Sequence, residues 1–202
     1  PEPVKWDGKW LLIMTVNLSD EQKEEFKKSL LWLGFNSLTS GMFAHPSSDR
    51  RSLDEVLNEQ KLTKRVAVFN AEIDDIYSQS ATKELINHKW QLNELKEKYQ
   101  GFLDFYRQLS TDFDYSKLNA QERFVLRVII IHEYRRIILK DPDLPQELLP
   151  SGWEGYQAQD LLIRTYHAIG RKSCDYVESH MENASGPLAK AISSYYQRFE
   201  KD

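Results

Sequence analysis

The feature that most constrains the fold is a short apolar run closed by a helix cap. Residues Trp10 to Val16 read Trp-Leu-Leu-Ile-Met-Thr-Val, a continuous apolar stretch of the length expected for a central strand. Ser19-Asp20-Glu21-Gln22 follows at once. A Ser with a Gln three residues later is a capping box, because each side chain satisfies a backbone N–H that the first helical turn leaves without a partner. Phe26, Leu30, Leu31 and Leu33 give the resulting helix an apolar stripe, and Gly34 marks its stop. Phe35 to Ala44 reads as two short strands around a Ser40-Gly41 turn. Pro46-Ser47-Ser48-Asp49 is a loop, and Ser52 with Glu55 reads as a second capping box. It opens a short helix carrying Leu53, Val56 and Leu57, and Arg65 to Glu72 forms the last strand. The order is β-α-β-β-α-β, the split βαβ or ferredoxin-like pattern.

From Thr82 onward the apolar positions recur at helical spacing: Leu85, Trp90, Leu92, Leu95, Tyr99, Phe102, Leu103, Tyr106 and Leu109. Asn119 with Glu122 caps another helix. Its stretch from Phe124 to Ile131 is apolar nearly all round, so burial in the middle of a domain is expected. Tyr156 to Met181 reads as a third long helix, Asn183 to Pro187 as a break, and Leu188 to Phe199 as a last short helix. The fold class is therefore α+β: a ferredoxin-like domain over residues 1–76, then an all-α domain over residues 77–202.

No apolar run approaches the roughly 18 residues of a membrane span, and no membrane partner is expected. The chain starts Pro-Glu-Pro-Val-Lys, without an initiator Met or an apolar leader, so Pro1 reads as a cut end. Cys174 is the one cysteine. It excludes an internal disulfide and suits a reducing cytoplasm, where the protein is expected. It also excludes a Cys-rich zinc site, and the five histidines form no His-Glu-x-x-His, so no metal is expected. Net charge is −4, with 27 Lys and Arg against 31 Asp and Glu. A surface that grips phosphates by itself is usually basic, so autonomous DNA binding by this chain is not expected.

The functional signal is concentrated between His132 and Trp153. An apolar helix runs into His132, Tyr134, Arg135, Arg136 and Lys140, stops at Asp141-Pro142, and continues as a proline-punctuated loop to Trp153. Loops of this kind, held by a rigid scaffold, commonly carry function.

Two sets of residues then carry a family resemblance. Trp6-Asp7-Gly8-Lys9-Trp10-Leu11-Leu12 with Leu31-Trp32-Leu33-Gly34-Phe35 resembles the start of the middle domain of the PaaX family, repressors of phenylacetate-degradation operons. Tyr134-Arg135-Arg136, Asp141-Pro142, Leu144-Pro145, Glu147-Leu148-Leu149-Pro150 and Trp153-x-Gly155 resemble that family's C-terminal signature, and Tyr196-Gln197-Arg198-Phe199 a motif near its end. The resemblance implies a Cas2-like ferredoxin fold for the first domain, a helical effector-responsive domain after it, and homodimerisation. It also implies operator binding through an N-terminal winged helix that is absent from this sequence. No cofactor is implied. The effector implied is phenylacetyl-coenzyme A, whose binding releases the repressor from DNA. Asn36 stands where the family pattern has a glycine.

The candidate effector residues are His132, Tyr134, Arg135, Arg136, Lys140 and Trp153. Arginine offers a planar donor fork that suits phosphate oxygens. The structural alternative is that Arg135 or Arg136 complements the helix dipole and fastens the loop through Asp141, Asp143 or Glu147. Adjacent helical residues point about 100° apart, so the two arginines are expected to serve different partners. Tyr134 and Trp153 either stack on a ligand ring or anchor the loop to the core. Trp6, Trp10, Leu31 and Trp32 are core or dimer surface. His132 lacks a nucleophile motif beside it, so no catalytic residue is assigned and the chain is read as a non-enzyme. The alternatives are a small enzyme acting on an acyl-coenzyme A and, behind it, a Cas2-like nuclease. Against the nuclease, the first strand ends in Thr15-Val16-Asn17-Leu18 with the next acid at Asp20, and Asp7 precedes the strand and is poorly placed.

Overall fold

The computed structural model describes residues 6–46, 50–73, 75–109 and 113–197, except for the side chains of 75–79. The chain divides into two compact units, residues 1–95 with 141–151, and residues 96–140 with 152–202.

The first unit holds β1 (Lys9–Thr15), α1 (Asp20–Trp32), β2 (Asn36–Thr39), β3 (Met42–His45), α2 (Arg50–Glu59), β4 (Val66–Glu72) and α3 (Asp75–Lys89). The strands form one antiparallel sheet in the order β2-β3-β1-β4. The ferredoxin-like pattern is borne out. In β1 the side chains alternate between faces, as a pleated strand requires. Leu11 and Ile13 point into the core with Phe26 and Leu30 of α1, Phe43 of β3, and Leu53 and Leu57 of α2. Burying each such side chain stabilises the fold by about 1.5–3 kcal/mol. Trp10 faces the other way and is also buried, its ring 6.3 Å from Trp6 and 6.1 Å from Trp90.

The first capping box forms as expected: Gln22 N–H donates to Ser19 Oγ at 3.3 Å, and Ser19 N–H to Gln22 Oε1 at 3.2 Å. The second does not cap, because α2 already starts at Arg50 and Ser52 lies inside its first turn. Leu31 leaves the expected stripe. It is exposed, as is its neighbour Trp32, because the core contacts of α1 fall on Phe26 and Leu30.

Two further segments join this unit beyond the expected boundary at residue 76. Trp90 Nε1 donates to the Gly34 carbonyl at 2.8 Å, Lys89 Nζ to the Leu38 carbonyl at 3.2 Å, and Asn36 Nδ2 to the Lys89 carbonyl. These bonds tie the end of α3 to β2. The proline loop is the second segment. Leu144 and Leu148 are buried, His45 Nε2 donates to the Pro142 carbonyl at 3.3 Å, and Trp6 N–H donates to Glu147 Oε1 at 3.2 Å.

The second unit takes in most of α4 (Leu92–Phe105), then α5 (Ala120–Ile138), α6 (Glu154–His180), β5 (Glu182–Asn183), β6 (Gly186–Pro187) and α7 (Ser193–Gln197). Asn119 and Glu122 cap α5 reciprocally. Helix α5 is not buried all round. Ile130 and Tyr134 face the interior, whereas Val125, Val128, Ile129 and Ile131 are exposed. The break after α6 is a two-strand hairpin. The last helix begins at Ser193, later than the expected Leu188, and Arg198 and Phe199 of the expected terminal motif lie outside the described residues.

Gly34 has φ +83°, and a Cβ there would lie 3.0 Å from His45 Nε2 and 3.2 Å from the Pro142 carbonyl oxygen. Gly34→Ala should therefore lower stability by about 1–3 kcal/mol, measured by denaturant unfolding. Burial holds the His45 pKa below its ordinary 6.5, against the opposing pull of its bond to Pro142 and of Asp143. The unfolded chain then binds this proton more readily than the folded one. The His45 contribution should leave stability flat above pH 6.5 and lower it as pH falls through that value. His45→Gln should flatten that part of a melting-temperature profile.

Candidate functional site

Tyr134 sets the geometry of the site. It is 8% exposed and packs against Tyr99 and Phe102, with ring centroids 6.3 and 5.7 Å away. Trp153 is 3% exposed and meets Tyr99 edge-on at 6.0 Å. Its indole lies across Gly155, where a Cβ would stand 2.5 Å from Nε1. Both aromatics belong to the interior of the helical unit and line neither of the grooves along α5, which fits the anchoring alternative rather than ligand stacking. The motif Trp153-x-Gly155 is a packing device.

With Tyr134 turned inward, the residues on either side of it diverge. His132 and Arg135 line a groove of about 600 Å³ between α5, α6 and the segment that follows the hairpin. Arg136 and Lys140 line another, of about 490 Å³, between α4 and α5. The six candidate residues are thus split among two grooves and the core. Arg136 pairs with Glu133 at 3.2 Å on the same helix, and this pair takes the place of the loop-fastening role considered for it. Among the described residues Arg135 makes no salt bridge.

The floor of the larger groove holds a residue that the sequence reading passed over. Arg127 Nη1 donates to Ser173 Oγ at 3.0 Å and to Cys174 Sγ at 3.3 Å, while Nη2 donates to the hydroxyls of Tyr166, at 2.9 Å, and Tyr195. Its guanidinium also lies 4.8 Å from the centre of the Tyr166 ring. Burial works against its charge, yet the hydrogen bonds with Tyr195 and Cys174 outweigh that cost and hold the pKa above its ordinary value. The signal was present: Arg127 is the one charge within Phe124 to Ile131. A cation inside an apolar run must be satisfied in place, because an unpaired buried charge is expensive.

Phe124, Val128, Ile131, Val177 and Leu188 make the walls of this groove apolar. At its edge Glu178 accepts from the Ala191 N–H at 3.0 Å and from the Tyr196 hydroxyl. The Tyr196 bond, then that of Ala191, hold the Glu178 pKa below the usual carboxylate range, and the same bond pushes Tyr196 up to about 12. The groove can therefore take a ligand with an apolar body and an anionic end. Among the described residues no group of His, Cys, Asp and Glu is arranged to hold a metal ion, and no helix is long and apolar enough to cross a membrane.

The chain thus joins a four-stranded ferredoxin-like sheet unit to a helical unit whose groove is floored by an arginine. Residues 3–86 match the central Cas2-like domain of the PaaX protein, and residues 90–179 match the PaaX-like protein C-terminal domain. The chain belongs to the PaaX family. It is 33% identical over 200 residues to the transcriptional repressor PaaX of Escherichia coli strain K12, covering 98% of this chain and 63% of that protein. The chain thus spans a little under two thirds of its relative's length. A solved structure of an uncharacterized protein from Mycobacterium tuberculosis superposes with a TM-score of 0.59 at 19% identity, covering 86% of this chain and 65% of the other. That likeness concerns the fold alone.

Removing Arg135 or Arg136 should change stability by less than about 1 kcal/mol, because both are exposed and the Arg136–Glu133 pair is solvent-screened. Trp153→Ala should cost about 3–5 kcal/mol, since it empties the centre of the aromatic cluster. Chemical denaturation of the three variants measures the difference.

Proposed function

We propose that this chain is the dimerising and effector-sensing part of a transcriptional repressor of phenylacetic acid catabolism. In this reading the operator is read by a winged helix outside residues 1–202, and repression is relieved by phenylacetyl-coenzyme A. The observation that carries the proposal is the partly buried Arg127 at the floor of an apolar groove whose rim holds Arg135 and His132. In a chain 33% identical to a named repressor, this is a receptor for a ligand that is apolar at one end and anionic at the other. The apolar walls suit the phenylacetyl group, and Arg127 and Arg135 suit phosphate oxygens of the coenzyme. Trp32, 85% exposed beside Leu31, is the surface this reading assigns to the contact between two copies. The first unit is then the dimer scaffold and the second the sensor. The net charge of −4 supports weak, unselective DNA binding by residues 1–202 alone.

Calorimetry with phenylacetyl-coenzyme A tests the sensor. The parent chain should bind the ligand and leave it intact. Arg135→Ala, which spares the fold, should weaken binding by about tenfold to a hundredfold, the worth of one charge-assisted contact. Binding as tight in Arg135→Ala and in Arg127→Lys as in the parent would overturn this choice of groove, and hydrolysis of the thioester would make the chain an enzyme. Light scattering should give a dimer that Trp32→Glu dissociates.

A further inference from the structure

The second groove of the helical unit is built differently and is not used by the effector reading. It runs between α4 and α5, has a volume of about 490 Å³, and is lined by three cations, Lys98, Arg136 and Lys140, against one acid, Glu133. That acid is already engaged by Arg136 at 3.2 Å. The lining therefore carries an excess of two positive charges, which matches a phosphate dianion better than a single carboxylate.

The apolar part of the groove presents aromatic faces. Phe105 is 71% exposed beside the buried Phe102 and Tyr106. Exposing so much of a phenyl ring forgoes burial that other aromatics of this unit obtain, and an exposed ring of this kind is a stacking platform for a flat partner. Gly101 opens the space between. It sits inside α4, where glycine costs about 0.5–1 kcal/mol relative to alanine, yet a Cβ there would meet nothing within 4 Å. Crowding does not require glycine at this position, and the room beside it belongs to the groove.

A polar atom in the lining has no partner. Tyr106 is 4% exposed, and its hydroxyl makes no hydrogen bond among the described residues. Its pKa is raised, first by burial and then by the charge of Glu133. The charge of Glu133 reaches this hydroxyl, yet Glu133 bonds to Arg136 and not to Tyr106. A ligand in the groove that offered an acceptor to Tyr106 would satisfy a buried group that is otherwise orphaned.

We propose that this groove is a second ligand site, for a planar aromatic ring bearing a phosphate, the chemistry of a nucleoside monophosphate. The ring lies over Gly101 against Phe105. The phosphate is held by Arg136 and Lys140, with Lys98 on the opposite wall. Arg136 engages Glu133 through Nη1 alone, so its remaining donors serve the phosphate.

Adenosine monophosphate is the probe, titrated into residues 1–202 by calorimetry beside adenosine and inorganic phosphate. The monophosphate should bind more tightly than either fragment. Gly101→Leu fills the groove, and Lys140→Gln removes an exposed cation; each should weaken binding at least about tenfold, the worth of one charged contact or more. Gly101→Leu should melt no lower than the parent, which separates blocking from unfolding. Neither variant should change the affinity for phenylacetyl-coenzyme A in the Arg127 groove. Failure of the monophosphate to bind at millimolar concentration, or unchanged binding in Gly101→Leu, overturns the proposal. Loss of phenylacetyl-coenzyme A binding in Gly101→Leu also overturns it, because the groove would then be part of the effector site. Failure of the effector reading alone would leave monophosphate binding intact.

Discussion

The packing of Tyr134 against Tyr99 and Phe102 fixes how α5 is rotated about its own axis. Everything chemical in the second unit depends on that rotation. A helix turns about 100° per residue, so once Tyr134 points inward its neighbours must leave on opposite sides. Arg135 falls to the α6 side with His132, and Arg136 falls to the α4 side with Lys140. The same rotation carries Arg127, two turns earlier on the Arg135 side, over Ser173 and Cys174 of α6. One buried ring thus decides which cations can act together.

Much of the first unit was legible because its signals are local. The cap at Ser19, the apolar run of β1 and the stop at Gly34 each lie within a few residues of what they specify. Ser52 misled for the same reason: a Ser-x-x-Glu spacing is a cap only where a helix begins, and α2 begins at Arg50. The all-apolar stretch of α5 misled in another way. Composition gives no rotation, and four of its apolar residues face outward because only the Ile130 and Tyr134 side meets the core.

The candidate site was half legible. The divergence of Arg135 and Arg136 follows from helix geometry and could be stated in advance. The company each keeps could not. Arg127 is satisfied by residues 39 to 68 positions away in the chain, Tyr166, Ser173, Cys174 and Tyr195. No spacing rule reaches that far. For Trp153 and Tyr134 the sequence left ligand stacking and anchoring side by side, and burial of both rings in the aromatic cluster decides it, as large aromatics commonly serve burial.

The proline loop lies between α5 and α6 in the chain, but residues 141–151 belong to the sheet unit. The backbone therefore passes from one unit to the other three times, at 95, 140 and 151. Such interleaving changes how the molecule can be made. During synthesis the sheet unit cannot bury Leu144 and Leu148, or give His45 its bond to Pro142, until residue 151 has left the ribosome. By then α5, which precedes the loop, has already been made. Domains that are consecutive in sequence can fold one after the other. Here the sheet unit must wait for a loop made after α5 of the other unit, and a cut at residue 76 or 95 would yield a sheet domain without its closing strap.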